Sequence, residues 1–191
     1  PSSGARRGGE AAYLLPKGQQ PYMIHRLDQE TSGALIVAKD PAVVPILVRL
    51  IKEKRIKRTY LTWVHGRLQS EHGTISIPIG RDPEDKRKRQ IGGIHPQPAT
   101  THYRVIRRIA DATLVAVQLQ TGRTHQIRVH FSGLGHPIIG DPLYADDDRR
   151  QRLLLHSWRV VLPVPYAFET VRVEAPVPAT FIEFEKQSKK S

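Results

Sequence analysis

A chain of 191 residues, 39% hydrophobic and 25% charged, is long and apolar enough to bury a core without covalent staples. The absence of cysteine excludes disulfides, thiolate zinc sites, Fe–S clusters and thiol catalysis, and fits a cytoplasmic setting. Thirty Lys and Arg against 18 Asp and Glu leave a net charge of +12, which points to a polyanion such as nucleic acid, with plain solubility as the alternative.

Residues 1–21 read as a lead-in, its first part, Pro1–Glu10, rich in Gly, Ser and Arg. Residues 22–187 read as one domain and 188–191 as a basic tail. Gly33–Ala38 is a short apolar run expected to form a buried strand. Asp40 and Pro41 mark a helix start, and Pro45 delays the regular helix slightly; Val44, Leu47, Val48 and Ile51 share one face of it. Tyr60–Val64 and Thr74–Ile79 are predicted strands. Thr101–Ile109 and Thr113–Gln120 flank Ala110–Asp111–Ala112 as a hairpin. Thr124 is placed to cap a short helix that ends near Gly133 or Gly135. Further strands are expected in Leu153–Leu162 and Thr170–Glu174. The sum is an α+β fold, a mixed and largely antiparallel central sheet with a few flanking helices. The longest apolar runs, Gly33–Ala38 and Val160–Val164, are far too short to span a bilayer as helices.

Two segments stand out chemically. In HRLDQETSG (His25–Gly33) an aspartate sits in a turn before an apolar run, where a carboxylate can be rigid, partly desolvated and nucleophilic. The alternative is an Asx-turn aspartate that merely closes the loop. In LQTGRTHQIRVH (Leu119–His130) a strand runs through a TGR turn into a helix, so backbone N–H groups and Arg123 surround an anion-friendly start. Arg128 on that helix can pair with a carboxylate and keep it ionised, or be a surface arginine. Tyr60 follows a basic cluster and suits a base-stacking platform, or simple strand packing. The run Lys86, Arg87, Lys88, Arg89 can grip phosphates or be a solvated charge run. His125 and His130 are five apart and lack the partnering Glu of zinc hydrolases, so no metal is expected. The chain contains no GxGxxG, P-loop or GxSxG, so no nucleotide cofactor or serine nucleophile is expected.

Together with KRTYLTWVHG (Lys57–Gly66), PATTHYRV (Pro98–Val105), GHPIIGDPLY (Gly135–Tyr144) and LLLHSWRV (Leu153–Val160), these segments resemble the RluA-type family of RNA pseudouridine synthases, from about Tyr22 to Pro178. The resemblance implies isomerisation of uridine to pseudouridine in structured RNA, ribosomal RNA first and transfer RNA second, by a monomer without cofactor, metal or membrane. It makes Asp28 the catalytic aspartate and Tyr60 the tyrosine that stacks on the target base and helps remove its proton. Arg128 becomes the partner of the aspartate, Arg26 an arginine that enters the RNA stack, and Leu155 a wall of the uridine site. With RNA as the expected polyanion, Arg123 and Lys86–Arg89, singled out above for their charge, are the expected phosphate contacts. The family's Lys-Pro-Ala-Gly-like first strand has no match before Tyr22, where Pro16–Lys17–Gly18 is no substitute, and no S4-type domain is seen. The start therefore reads as truncated or replaced. A non-catalytic RNA-binding module is the alternative from another class, and a histidine-metal hydrolase a third.

Overall fold

The apolar run after the aspartate turn forms two short strand pairs instead of one long strand, in a computed structural model describing residues 20–146, 151–164 and 169–188. Pro1–Glu10 and the tail after Ser188 lie outside the described residues. Tyr22–Met23 (β1) pairs antiparallel with Val37–Ala38 (β3), while Ser32–Gly33 (β2) lies parallel to a later strand, Leu155–Pro163 (β11). The continuous strand expected over Gly33–Ala38 is broken, because Gly33 turns its backbone against Ser157. Its φ is +106°, and a Cβ there would stand 2.2 Å from the Ser157 carbonyl oxygen. Ala34 donates its N–H to that oxygen at 2.8 Å, and the Ser157 hydroxyl donates to the Ala34 carbonyl at 2.9 Å.

Asp40 caps the next turn, its carboxylate accepting the Ala42 N–H at 2.8 Å. A 3₁₀ turn, Pro41–Val43, leads into α1 (Val44–Lys52), whose first turn holds Pro45, where a missing N–H costs nothing. Leu47 and Leu50 are its buried residues, so Leu50 joins the expected face and Val44, Val48 and Ile51 lie at its margin.

The main sheet grows around Lys57–His65 (β4). It continues with His72–Ser76 (β5), and a separate small sheet takes Ile79–Arg81 (β6), Arg89–Ile91 (β7) and Ile94–Gln97 (β8). The single strand predicted over Thr74–Ile79 is therefore split. Pro78 has no N–H for the ladder, and Ile79 starts the small sheet in which β6 is flanked by β7 and β8. Thr100–Ile109 (β9) and Ala112–Leu119 (β10) form the expected hairpin. After Gln126–Gly133 (α2) come β11, Thr170–Glu174 (β12) and Ala179–Ser188 (α3). The order across the large sheet is β12-β11-β4-β10-β9-β5, with β2 added beside β11. Antiparallel pairs with one parallel addition make it the mixed sheet that the pattern predicted.

β4 is buried on both faces, and its alternation divides the core. Tyr60 and Val64 join Val115, Val117 and Leu155 on the face covered by Ile127 and Phe131 of α2. Leu61 and Trp63 point the other way, onto Ile139, Leu154 and Phe181 of α3, with the Phe184 ring 5.4 Å from that of Trp63. Burying both faces of a strand removes its side chains from water on each side and stiffens its path. Tyr60 is thus held by a rigid central strand at the face where α2 packs.

Candidate active site

Five separate segments meet at one cavity of about 560 Å³, which Asp28, Tyr60, Leu155, Arg26, Arg123 and His125 help to line. Asp28 comes from the turn before β2, Tyr60 from β4 and Leu155 from the start of β11. Arg123 and His125 come from the turn entering α2. Arg58 and Lys52 also line the cavity, so its rim is cationic. All the residues that the motifs singled out around the aspartate therefore converge, apart from Arg128, which stands behind the cavity wall.

The Asp28 carboxylate is not used to close its own turn. The turn is closed by backbone, Thr31 donating its N–H to the Asp28 carbonyl at 3.0 Å. The carboxylate, 18% exposed, has the guanidinium of Arg128 at 3.7 Å. Arg128 itself is only 6% exposed and is gripped by a second carboxylate, Asp141, which is 0% exposed. Its Nε and Nη2 donate to the two Asp141 oxygens at 2.7 Å each, the forked geometry that makes such pairs strong. One Asp141 oxygen also accepts the N–H groups of Leu143 at 2.9 Å and Tyr144 at 3.1 Å. The Tyr144 ring lies 5.0 Å from the guanidinium carbon. Burial opposes the Arg128 charge, and the bonds to Asp141 together with the charge of Asp28 more than offset it, holding the guanidinium above its ordinary range. Sequence reasoning found Arg128 but missed Asp141 and Tyr144. The available signal was an Asp-Pro pair directly after the apolar stretch of GHPIIGDPLY, where a buried acid needs a cation.

The start of α2 differs from the prediction. Its cap is His125 in the left-handed region, φ +56°, with no side-chain cap bond, and Thr124 does not take that role. Gln126 closes the TGR turn instead. Its Oε1 accepts the Arg123 N–H at 3.0 Å and the Thr121 hydroxyl at 2.7 Å, while its Nε2 donates to Thr100 and Thr101. The Arg123 N–H is therefore spent inside the protein, and the Arg123 Nε donates to the Pro98 carbonyl at 3.0 Å.

Tyr60 has its phenol pushed up, by burial first and then by the Asp28 charge, against the Arg58 charge and a hydrogen bond with Ser157. It enters any reaction with its proton on. His25 behaves oppositely. Burial, then the Arg58 charge, lower it to about 4, and its Nε2 accepts the Ile36 N–H at 3.0 Å, tying the aspartate turn to the following segment. Below the ordinary imidazole value of 6.5 the unfolded chain takes up a proton that the folded chain refuses. Stability is thus lost as pH falls from about 6.5 towards 4, by about 3 kcal/mol for this group. The buried His130 and His156 are lowered too, by burial first, and add to the same loss. Urea unfolding at a series of pH values should show this decline, and His25→Gln should make it shallower by one proton; an equal slope in the variant would exclude His25 as its source.

The four cations after Ile79 are not equivalent. Arg87 forks onto Asp85, whose carboxyl its bonds hold at about 2. Arg89 donates through Nη1 to the Lys88 carbonyl at 2.7 Å and the Lys86 carbonyl at 3.4 Å. Arg89 also faces a neighbouring cavity of about 350 Å³ together with Arg81, His95 and Arg123. Since Arg123 and Thr124 line both cavities, the small sheet extends the cationic surface directly from the aspartate site.

Among the described residues no helix is long and apolar enough to cross a membrane. A sequence model described as "RNA pseudouridylate synthase" matches residues 2–133. The uncharacterized RNA pseudouridine synthase YhcT of Bacillus subtilis is 43% identical over 161 residues, covering 82% of this chain and 52% of that protein. Ribosomal large subunit pseudouridine synthase D of Nitrosomonas europaea is 37% identical over 166 residues, covering 82% of this chain and 48% of its own length. The chain thus spans about half the length of these curated relatives. Among solved structures, human RNA pseudouridylate synthase domain containing 1 aligns with a TM-score of 0.74 at 30% identity, over 90% of this chain and 81% of that one. Human RNA pseudouridylate synthase domain containing 4 aligns with a TM-score of 0.77 at 25% identity, over 95% and 81%. Sequence and backbone agree, and the chain belongs to the RNA pseudouridylate synthase family, in its RluA-type branch.

Proposed function

We propose that the protein isomerises uridine to pseudouridine in structured RNA, with Asp28 as its catalytic group. One observation carries this reading above the others. A carboxylate not spent on its own turn stands in a cationic cavity, beside a guanidinium whose charge Asp141 already balances. A surface built only to hold phosphate gains nothing from that anion.

In the proposed reaction the N1–C1′ bond breaks, the uracil turns, and C5 bonds to C1′. C5 gives up its proton and N1 takes one, so nothing is oxidised and no second substrate or cofactor is consumed. The base must leave the RNA stack, at about a few kcal/mol. The ring of Tyr60 replaces lost stacking, Arg26 takes up the space left in the RNA, and Leu155 walls the site. Asp28 acts on the sugar or base through its carboxylate, and the Arg128 guanidinium stands 3.7 Å from it. Because Tyr60 is held protonated, it can take the C5 proton only after passing on its own.

Ribosomal RNA is the first substrate to test, since relatives carry the name ribosomal large subunit pseudouridine synthase D. The full-length protein should release tritium from RNA labelled at uridine C5. RNA binding without release from ribosomal or transfer RNA would favour a binding module. The basic run gives a second test. Replacing Lys86, Arg87, Lys88 and Arg89 by Ser should weaken RNA binding and flatten its salt dependence, the logarithmic slope falling by about 0.7–0.9 for each phosphate no longer neutralised. Arg87, tied to Asp85, should contribute least, and unchanged affinity across salt would show that the run does not hold RNA.

A further inference from the structure

His125 lies in the cavity wall, and the proposed reaction leaves it without a task. Its Nδ1 is 2.9 Å from the Tyr144 hydroxyl, and that hydroxyl accepts the Arg89 N–H at 2.7 Å. Burial pushes the Tyr144 phenol up to about 12, so its proton is present. The acceptor in reach of that proton, among the described residues, is His125 Nδ1. An imidazole that accepts at Nδ1 and is neutral carries its own proton at Nε2. Burial favours the neutral ring. The charges facing it oppose one another, Asp28 and Asp141 raising its proton affinity and Arg128 and Arg89 lowering it, and the net direction is down. Nε2 sits on the far edge of the ring from Tyr144 and has no hydrogen-bond partner among the described residues.

We propose that His125 presents this Nε2–H to a carbonyl oxygen of the target uracil, and that Tyr144 is the positioning residue that fixes its tautomer and orientation. The proposal rests on the uridine-isomerase reading but not on any one route within it. If Asp28 attacks C1′, or if a glycal forms, the N1–C1′ electron pair passes to the uracil. If Asp28 adds to C6, the ring's double-bond electrons are pushed towards O4. In each route negative charge gathers on a uracil carbonyl oxygen. A donor fixed beforehand binds that oxygen more strongly in the transition state than in bound uridine, so it accelerates conversion more than it tightens binding. His125 touches substrate in this scheme, and Tyr144 acts through it.

The test uses the full-length protein, single-turnover conversion of uridine in RNA, and RNA affinity measured separately. His125→Leu should slow conversion by about 10²-fold, as loss of one such donor does elsewhere, with little change in affinity. His125→Gln keeps an N–H donor and should convert clearly faster than His125→Leu. Both variants share the strain of a left-handed backbone, so their difference isolates the donor, and melting temperatures verify that each is folded. Tyr144→Phe keeps the ring over Arg128 but loses the hydroxyl, and should slow conversion by about tenfold. Combined with His125→Leu it should add nothing. Wild-type conversion by folded His125→Leu, equal rates for Gln and Leu, or a loss confined to affinity would overturn the role of His125. A full additional loss in the double variant would overturn that of Tyr144. A wild-type protein inactive on every RNA would instead sink the isomerase reading itself.

Discussion

Asp28→Asn is expected to abolish pseudouridine formation, by at least about 10³-fold, while the protein stays folded and still binds RNA. The substitution keeps the shape of the side chain and removes the charge and nucleophilicity. Little stability should go with it. The carboxylate is 18% exposed, and its approach to Arg128 is a single one at 3.7 Å. Arg128 keeps its forked partner Asp141, so no buried charge is left unbalanced. A change within about 1 kcal/mol is expected in urea unfolding. RNA affinity should hold or rise, since an anion leaves a cationic cavity. Tritium release from C5-labelled RNA, measured beside a binding titration, separates the two effects. Release at the wild-type rate would remove Asp28 from the chemistry. Loss of binding together with release would assign it to the RNA surface instead.

The arrangement explains why the site needs more than its motif residues. An arginine kept to 6% exposure carries a large desolvation cost, which a partly exposed carboxylate at 3.7 Å does not offset alone. Asp141 offsets it from the protein side, and its bonds to Leu143 and Tyr144 anchor it to the backbone. The guanidinium is then fixed before any substrate arrives, and the positive charge offered to Asp28 is preorganised.

How much of this was legible in the sequence depends on whether its cause was local. The β9–β10 hairpin was readable because Ala110 and Asp111 interrupt two alternating runs. The cavity residues Asp28, Tyr60 and Arg123 were readable because each sits in a segment of unusual composition, whereas Leu155 was reached only through the family resemblance. Gly33–Ala38 misled because periodicity registers apolar residues, whereas the bend arises from Ser157, more than a hundred residues away. α3 escaped because its core contribution rests on Phe181 and Phe184, set among Glu and Lys. Thr124 is an ordinary capping residue, and only the reach of the Gln126 side chain across the turn displaces it. The partnership of Asp141 with Arg128 follows from how the segment after α2 folds back, which no spacing encodes.

That partnership supplies the second large effect. Asp141→Asn should destabilise the protein by about 3–5 kcal/mol, because it leaves the Arg128 charge buried with only the partly exposed Asp28, at 3.7 Å, to balance it. Conversion of uridine should fall as well, since the guanidinium loses the grip that holds it behind Asp28. The two losses have different origins, and a second variant separates them. Replacing Arg128 by Met and Asp141 by Leu together removes both buried charges, which is often neutral for stability when the volume is filled. The Leu143 and Tyr144 N–H groups lose their acceptor, so recovery should be large but incomplete. Pseudouridine formation should stay low in this double variant, because Asp28 then has no guanidinium beside it. Urea midpoints and tritium release on the same preparations read both quantities. An Asp141→Asn protein as stable as the wild type would show that Asp141 does not balance the buried charge. A fully active double variant would show that Asp28 works without Arg128.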